Sequence, residues 1–164
     1  DKLKAFHMKY PGIRLKIYNH STPEAIEAVK SGKIDFAVVS TPAAVEMPLK
    51  AVMLLPFREI LVGGTTFTAL GSRFYNSLFL SHGLELMPDT ETATTDQILP
   101  LVKCELGLAF LPEPMARESI KKHEIVQISL KEDIPERNIC MVYDWQHPLN
   151  SAARQLKKII LESK

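Results

Sequence analysis

Residues 2–40, KLKAFHMKYPGIRLKIYNHSTPEAIEAVKSGKIDFAVVS, decide the class of fold. Leu3, Phe6, His7 and Tyr10 recur at helical spacing, and Pro11-Gly12 stops that helix before another turn can form. Ile13, Leu15 and Ile17 then alternate with Arg14, Lys16 and Tyr18, the period of a strand covered on one face. Thr22 is placed to cap a second helix ahead of Pro23, whose missing N–H costs nothing in a first turn, and Gly32 follows its last turn. Residues 34–39 are an apolar run broken only by Asp35, the mark of a strand buried on both faces of a parallel sheet. Strand, helix and strand in so short a span make a βαβ unit, right-handed by default. The pattern predicts an alternating α/β layer fold.

Outward from this segment the alternation continues. Residues 51–55 and 58–62 read as two more strands, and Ser72 can cap a helix that ends at Gly83. A short strand is expected over 91–93. Thr94 and Gln97 then have the spacing of a capping box, in which hydroxyl and amide satisfy backbone donors reciprocally. Pro100 must kink the helix that follows or mark its restart. Residues 107–111 form another buried-strand run closed by Pro112, and Pro114 opens a helix over 115–122. Strands are expected at 125–128 and 139–143. Asn150 caps a final helix with Ala153, Leu156, Ile159 and Ile160 on one face. The chain makes two α/β blocks, and its last strand and helix return to the first.

Composition narrows the function. With 164 residues, 46% of them hydrophobic, the chain can bury the core of one domain or of two small lobes. Its net charge is +1 with both signs interspersed, which leaves no electrostatic footprint for gripping nucleic acid. Cys104 and Cys140 fall in no metal or disulfide framework, so a reducing cytosol fits. Cys140 sits in a strand pattern as a buried thiol, while Cys104 admits a redox role only if its surroundings lower the thiol pKa. The five histidines, at 7, 20, 82, 123 and 147, show no ligand spacing, and no Ser/His/Asp or paired-carboxylate set is present. The expectation is a binding protein without cofactor or metal, and not an enzyme. Apolar runs stop far short of the roughly 20 residues of a membrane span. The chain opens on a helical pattern without Met, as an excised fragment would.

Candidate contacts cluster where strands hand over to helices. Asn19, His20, Ser21 and Thr22 offer N–H groups and hydroxyls to an anion, or they simply cap a helix. Ser40 and Thr41 end a strand as turn formers or ligand contacts. Thr94 and Thr95 repeat the arrangement in the second block, where a kink at Pro100 would free the Asp96 carbonyl. Ser72 and Arg73 add a cap and a cation, and Pro112 with Glu113 closes a strand.

Three separated stretches resemble one family. The "F…YP" helix end with the "…L..G..D.AI" type of turn in residues 2–40, the run ATTDQILPLV (93–102) followed by LGLAFLP (106–112), and HPLNSAAR (147–154) look like the effector-binding domain of LysR-type transcriptional regulators. The resemblance implies a type 2 periplasmic-binding-protein architecture of two Rossmann-like lobes, here 1–63 with 138–164 and 64–137. It implies a small anionic effector held in the cleft by His20, Ser21, Thr22, Ser40, Thr41, Ser72, Arg73, Thr94, Thr95 and Pro112. It further implies a cytoplasmic homodimer or homotetramer joined through Leu3, Phe6, Tyr10, Leu15 and Ile17, reaching DNA only through a separate winged helix-turn-helix. A stand-alone solute-binding protein of a transporter would share the fold. Two departures stand out. The family's strand and Ser/Thr-bearing loop before the first helix would precede Asp1, and its longer crossing segment is compressed into GGTTFTALG (63–71), as if residues were lost there.

Overall fold

The computed structural model describes residues 2–64, 83, 90–130 and 133–162. They divide into two compact units, the first made of Asp1–Pro56 with Asn138–Lys164 and the second of Phe57–Arg137. The expected helix over 72–82, with Ser72 and Arg73, lies outside the described residues.

Unit 1 begins with α1 (Lys2–Lys9), which ends at Tyr10 ahead of Pro11. It lies against the C-terminal helix α5 (Ser151–Leu161). The Lys2 ammonium donates to the Ile160 carbonyl at 2.6 Å, where a helix C-terminus favours a cation, and the Tyr10 hydroxyl donates to Gln155 at 3.2 Å. Phe6 is fully buried, so it belongs to the core and not, as expected, to an interface with another copy. Helix α2 (Thr22–Lys30) stops on Gly32, whose φ of +70° is cheap only without a Cβ. The N–H groups of Gly32 and Lys33 reach back to the Val29 and Ala28 carbonyls and close the helix end.

The unit 1 sheet holds β1 (Phe36–Ser40), β6 (Arg137–Asp144) and β2 (Leu49–Phe57) in the order β1-β6-β2. Pro56 lies in an edge strand, where its missing N–H is tolerated. Strand β1 runs antiparallel to β6, with Phe36 opposite Tyr143 and Ser40 opposite Ile139. This corrects the expected parallel βαβ unit. Residues 13–18 alternate in residue type only: they carry no strand pairing, their burial does not alternate and Ile17 is 72% exposed. Alternation reports which face of a strand is covered, whereas a strand exists only through its neighbour's hydrogen bonds. Nor is β1 buried on both faces. Ala37 and Val39 enter a core with Ala25, Val29, Leu49 and Val142, while Val38 stays half exposed.

Unit 2 centres on β3 (Glu59–Gly63), flanked by β4 (Leu108–Pro112) and β5 (Val126–Ile128), both antiparallel to it. Inward residues Val62, Ala109 and Leu111 meet Val102 of α3 (Ile98–Lys103) and Ala116 of α4 (Glu113–Lys121), with Ile125 beside them. Pro100 marks a restart and not a kink: a 3-10 turn, Thr95–Gln97, precedes α3, and the proline falls in the first turn. Residues 91–93 form no strand. Both helices end on a left-handed residue that is not glycine, Glu105 (φ +60°) after α3 and His123 (φ +57°) after α4. Each is held there by paired backbone hydrogen bonds of the kind that follow Val29 in unit 1.

Two contacts make unit 2 sensitive to single substitutions. A Cβ on Gly64 would fall 2.9 Å from Glu105 Cγ, 3.1 Å from Glu105 Cα and 3.1 Å from the Val102 carbonyl. Backbone atoms cannot swing aside, so Gly64→Ala should lower stability by about 1–3 kcal/mol in urea unfolding. Glu59, 5% exposed, meets Arg137 at 2.8 Å, and the guanidinium also lies over the Phe57 ring at 5.5 Å. Glu59→Gln takes the carboxylate from the partly buried Arg137 guanidinium, and the same measurement should show a loss of about 1–3 kcal/mol.

Candidate functional site

The predicted contacts sort into those already committed to the fold and those left with bonding capacity. Ser21, not Thr22, is the N-cap of α2, and Thr22 is the first helical residue. The Ser21 hydroxyl and its N–H both donate to the Glu24 carboxylate, at 2.7 and 3.0 Å. These two bonds, the hydroxyl's first, hold the Glu24 carboxyl below the usual carboxylate range, and the nearby His20 acts in the same direction. A negative side chain therefore occupies the positive end of α2.

Thr41 is also engaged. Its hydroxyl accepts from the Asn138 N–H at 2.8 Å, and its own N–H donates to the Asn138 carbonyl at 2.8 Å, tying the end of β1 to the start of β6. Ser40 sits half buried opposite Ile139. Pro112 precedes α4 as its N-cap, and the first N–H of that helix, from Glu113, is taken by the Arg58 carbonyl at 2.9 Å. The Glu113 side chain meets Arg117 at 3.0 Å on the surface, one helical turn on.

His20 and Thr94 differ from these. Among the described residues, two buried side-chain polar atoms have no hydrogen-bond partner: His20 Nε2 and Thr94 Oγ1. His20 stacks on Tyr18 with ring centroids 5.8 Å apart and planes 7° from parallel, which fixes the imidazole but satisfies no nitrogen. Thr94 is the N-cap of the 3-10 turn, yet the expected box with Gln97 is not built. Only the backbone closes the turn, Gln97 N–H to the Thr94 carbonyl at 3.2 Å, because the 3-10 geometry draws the chain itself into that bond. Thr95 is exposed beside it. An orphaned buried polar atom costs about 1–3 kcal/mol, which sets these two apart from the turns whose polar groups are satisfied.

Among the described residues no cluster of His, Cys, Asp or Glu could hold a metal ion. Cys140 is buried, and loss of water around it pushes its thiol pKa up. Cys104 is exposed at the end of α3. No helix of the described residues is long and apolar enough to cross a membrane.

This fold matches known proteins. The chain belongs to the LysR substrate binding domain family, whose model covers residues 71–164. Its architecture is that of type 2 periplasmic-binding-like domains with two α/β lobes. The effector-binding domain of QuiR in complex with shikimate is 15% identical, with a TM-score of 0.75 over 98% of this chain and 87% of that one. The E204G regulatory domain of OxyR2 from Vibrio vulnificus is 14% identical, with a TM-score of 0.73 over 98% and 86%. The regulatory domain of MetR from N. meningitidis is 15% identical, with a TM-score of 0.68 over 98% and 84%. No curated protein sequence matches significantly.

The sequence reading missed the Glu59–Arg137 pair because it placed Arg137 in a polar connection. A lone carboxylate opening an apolar strand was the available signal, since Glu is rarely buried unless paired. At the α2 turn, the depressed pKa of Glu24 means that its contribution to stability is full above the unfolded value and is lost as pH falls through the folded one. Ser21→Ala should move the Glu24 carboxyl back up toward the ordinary range in a carboxyl NMR titration and make acid unfolding less steep.

Proposed function

We propose that this chain is the effector-sensing domain of a LysR-type transcriptional regulator that binds a small hydroxylated carboxylate. Family membership favours a regulator over the solute-binding protein of a transporter, which shares only the architecture. The observation that supports this reading is that each unit, taken by itself, keeps a buried side-chain atom without a hydrogen-bond partner among the described residues, His20 Nε2 in unit 1 and Thr94 Oγ1 in unit 2. His20 stands before α2, whose N-terminal end Glu24 already meets, and Thr94 opens the 3-10 turn ahead of α3. Thr95 is exposed next to Thr94, while Ser40, half buried at the end of β1, and Ser72 and Arg73 remain candidates on the family resemblance. Thr41, Ser21 and Thr22 act chiefly in the fold. The QuiR domain was captured with shikimate, so shikimate and related polyhydroxy acids are the first compounds to test.

In the working protein this domain acts as a homodimer or homotetramer in the cytoplasm, meets DNA through a separate domain, and turns over no substrate. Leu3, Leu15 and Ile17 are among the exposed apolar side chains and would be offered to another copy, and Tyr10 is half buried. Effector binding then shifts the population of domain geometries that the DNA-bound oligomer adopts.

Thr94→Val separates a binding hydroxyl from a structural one. Replacing an unpartnered buried hydroxyl by a methyl should raise the stability of the unliganded domain by about 1 kcal/mol and weaken effector binding at least about tenfold in titration calorimetry. Unchanged affinity for every tight ligand, with the hydroxyl gone, would show that the site lies elsewhere.

A further inference from the structure

A groove of about 570 Å³ opens on unit 1 where the end of β6 passes under α5. Its apolar walls come from Tyr143, Trp145, Leu149 and Leu161, and its cations from Arg154 and Lys157 of α5, with Lys158 beside them. None of these residues belongs to the candidate effector turns described above.

The charges around the groove do not cancel. Of its two carboxylates, Asp144 is held by His147, whose Nδ1 lies 2.6 Å from Oδ2, and it also accepts from the Gln146 N–H at 2.8 Å. A carboxylate only accepts, so Nδ1 carries the proton in that bond. Glu162 pairs with Lys158 at 3.5 Å. Arg154 and Lys157 meet no carboxylate among the described residues. Instead the Arg154 guanidinium donates to the Leu149 carbonyl at 3.2 Å, and the Lys157 ammonium stands over the Tyr143 ring, 3.2 Å from its centroid. Both cations are thus positioned against the apolar wall without being neutralised, and the face of one aromatic ring is already oriented.

We propose that this groove is a second ligand site on unit 1, which takes an aromatic carboxylate. The ring lies along Leu149, Leu161 and Trp145, and the carboxylate meets Arg154 and Lys157. The volume is in the range of small-molecule sites, roughly 300–1,000 Å³, and the combination of apolar walls with a few convergent polar groups is their common chemistry. The site is independent of the effector reading, since it uses neither His20 nor Thr94.

Trp145 is the only tryptophan in the chain and is 47% exposed at the groove, so its emission reports occupancy directly. Benzoate should change Trp145 fluorescence saturably, and benzyl alcohol, equal in ring but uncharged, should bind at least about fivefold more weakly, the effect of roughly one charge contact in water. Lys157→Met should weaken benzoate by a similar factor and Lys157→Arg should restore it, with both variants melting like the parent. Thr94→Val should leave this titration unchanged even if it abolishes effector binding. A response that is linear with concentration, that is equal for the alcohol, or that survives Lys157→Met overturns the proposal. So does Trp145 emission that depends on protein concentration and ignores benzoate, which would mean that a second copy of the chain covers the groove.

Discussion

The ion pair between Glu59 and Arg137 anchors the second unit where the chain enters and leaves it. Glu59 opens β3, the central strand of that unit, and Arg137 is the last residue before the chain passes back. Removing both ions from water costs several kcal/mol, which only close geometry and further contacts repay. Here the contact is 2.8 Å, and the Phe57 ring backs the guanidinium. A hydrophobic pair could be as stable, but it would not specify which residues meet. The charged pair joins the residues at entry and exit, and β3 pairs with β4 and β5 along its two edges.

Against that determined scaffold, the unsatisfied atoms gain meaning. Most polar groups at the predicted binding turns are occupied: Ser21 by Glu24, Thr41 by Asn138, the first N–H of α4 by Arg58. His20 Nε2 and Thr94 Oγ1 are not. Three helix ends are stopped by paired backbone bonds, so these two unpartnered atoms stand out, and they are the contacts proposed for a ligand. Both are among the contacts the family resemblance implies, and Thr94 also has the spacing of a capping box with Gln97 that the 3-10 turn does not build.

Legibility in the sequence followed the range of the interaction. Helix starts and stops are local, and Pro11, Pro23, Gly32, Pro114 and Asn150 all mark boundaries within a residue or two of those found. Asn150 caps α5 through its side chain as expected, accepting from the Ala153 N–H at 2.8 Å. The stops at Glu105 and His123 were invisible, because a left-handed residue that is not glycine leaves no compositional mark. The N-cap was misplaced by one residue for a similar reason, since Ser21 and Thr22 are chemically equivalent caps until Glu24 chooses one of them.

What the amino-acid order determined alone was most of the helix boundaries, several of the strands and the family, because these rest on periodicity and on turn chemistry within a few neighbouring residues. Tertiary structure decided which strands pair and in which direction, that Ile13 to Tyr18 remain unpaired while β1 joins β6, and that Phe6 is core. It also decided which hydroxyls are consumed by the fold. Those outcomes depend on partners distant in the chain, and a residue's own neighbours carry no record of what will be brought against it.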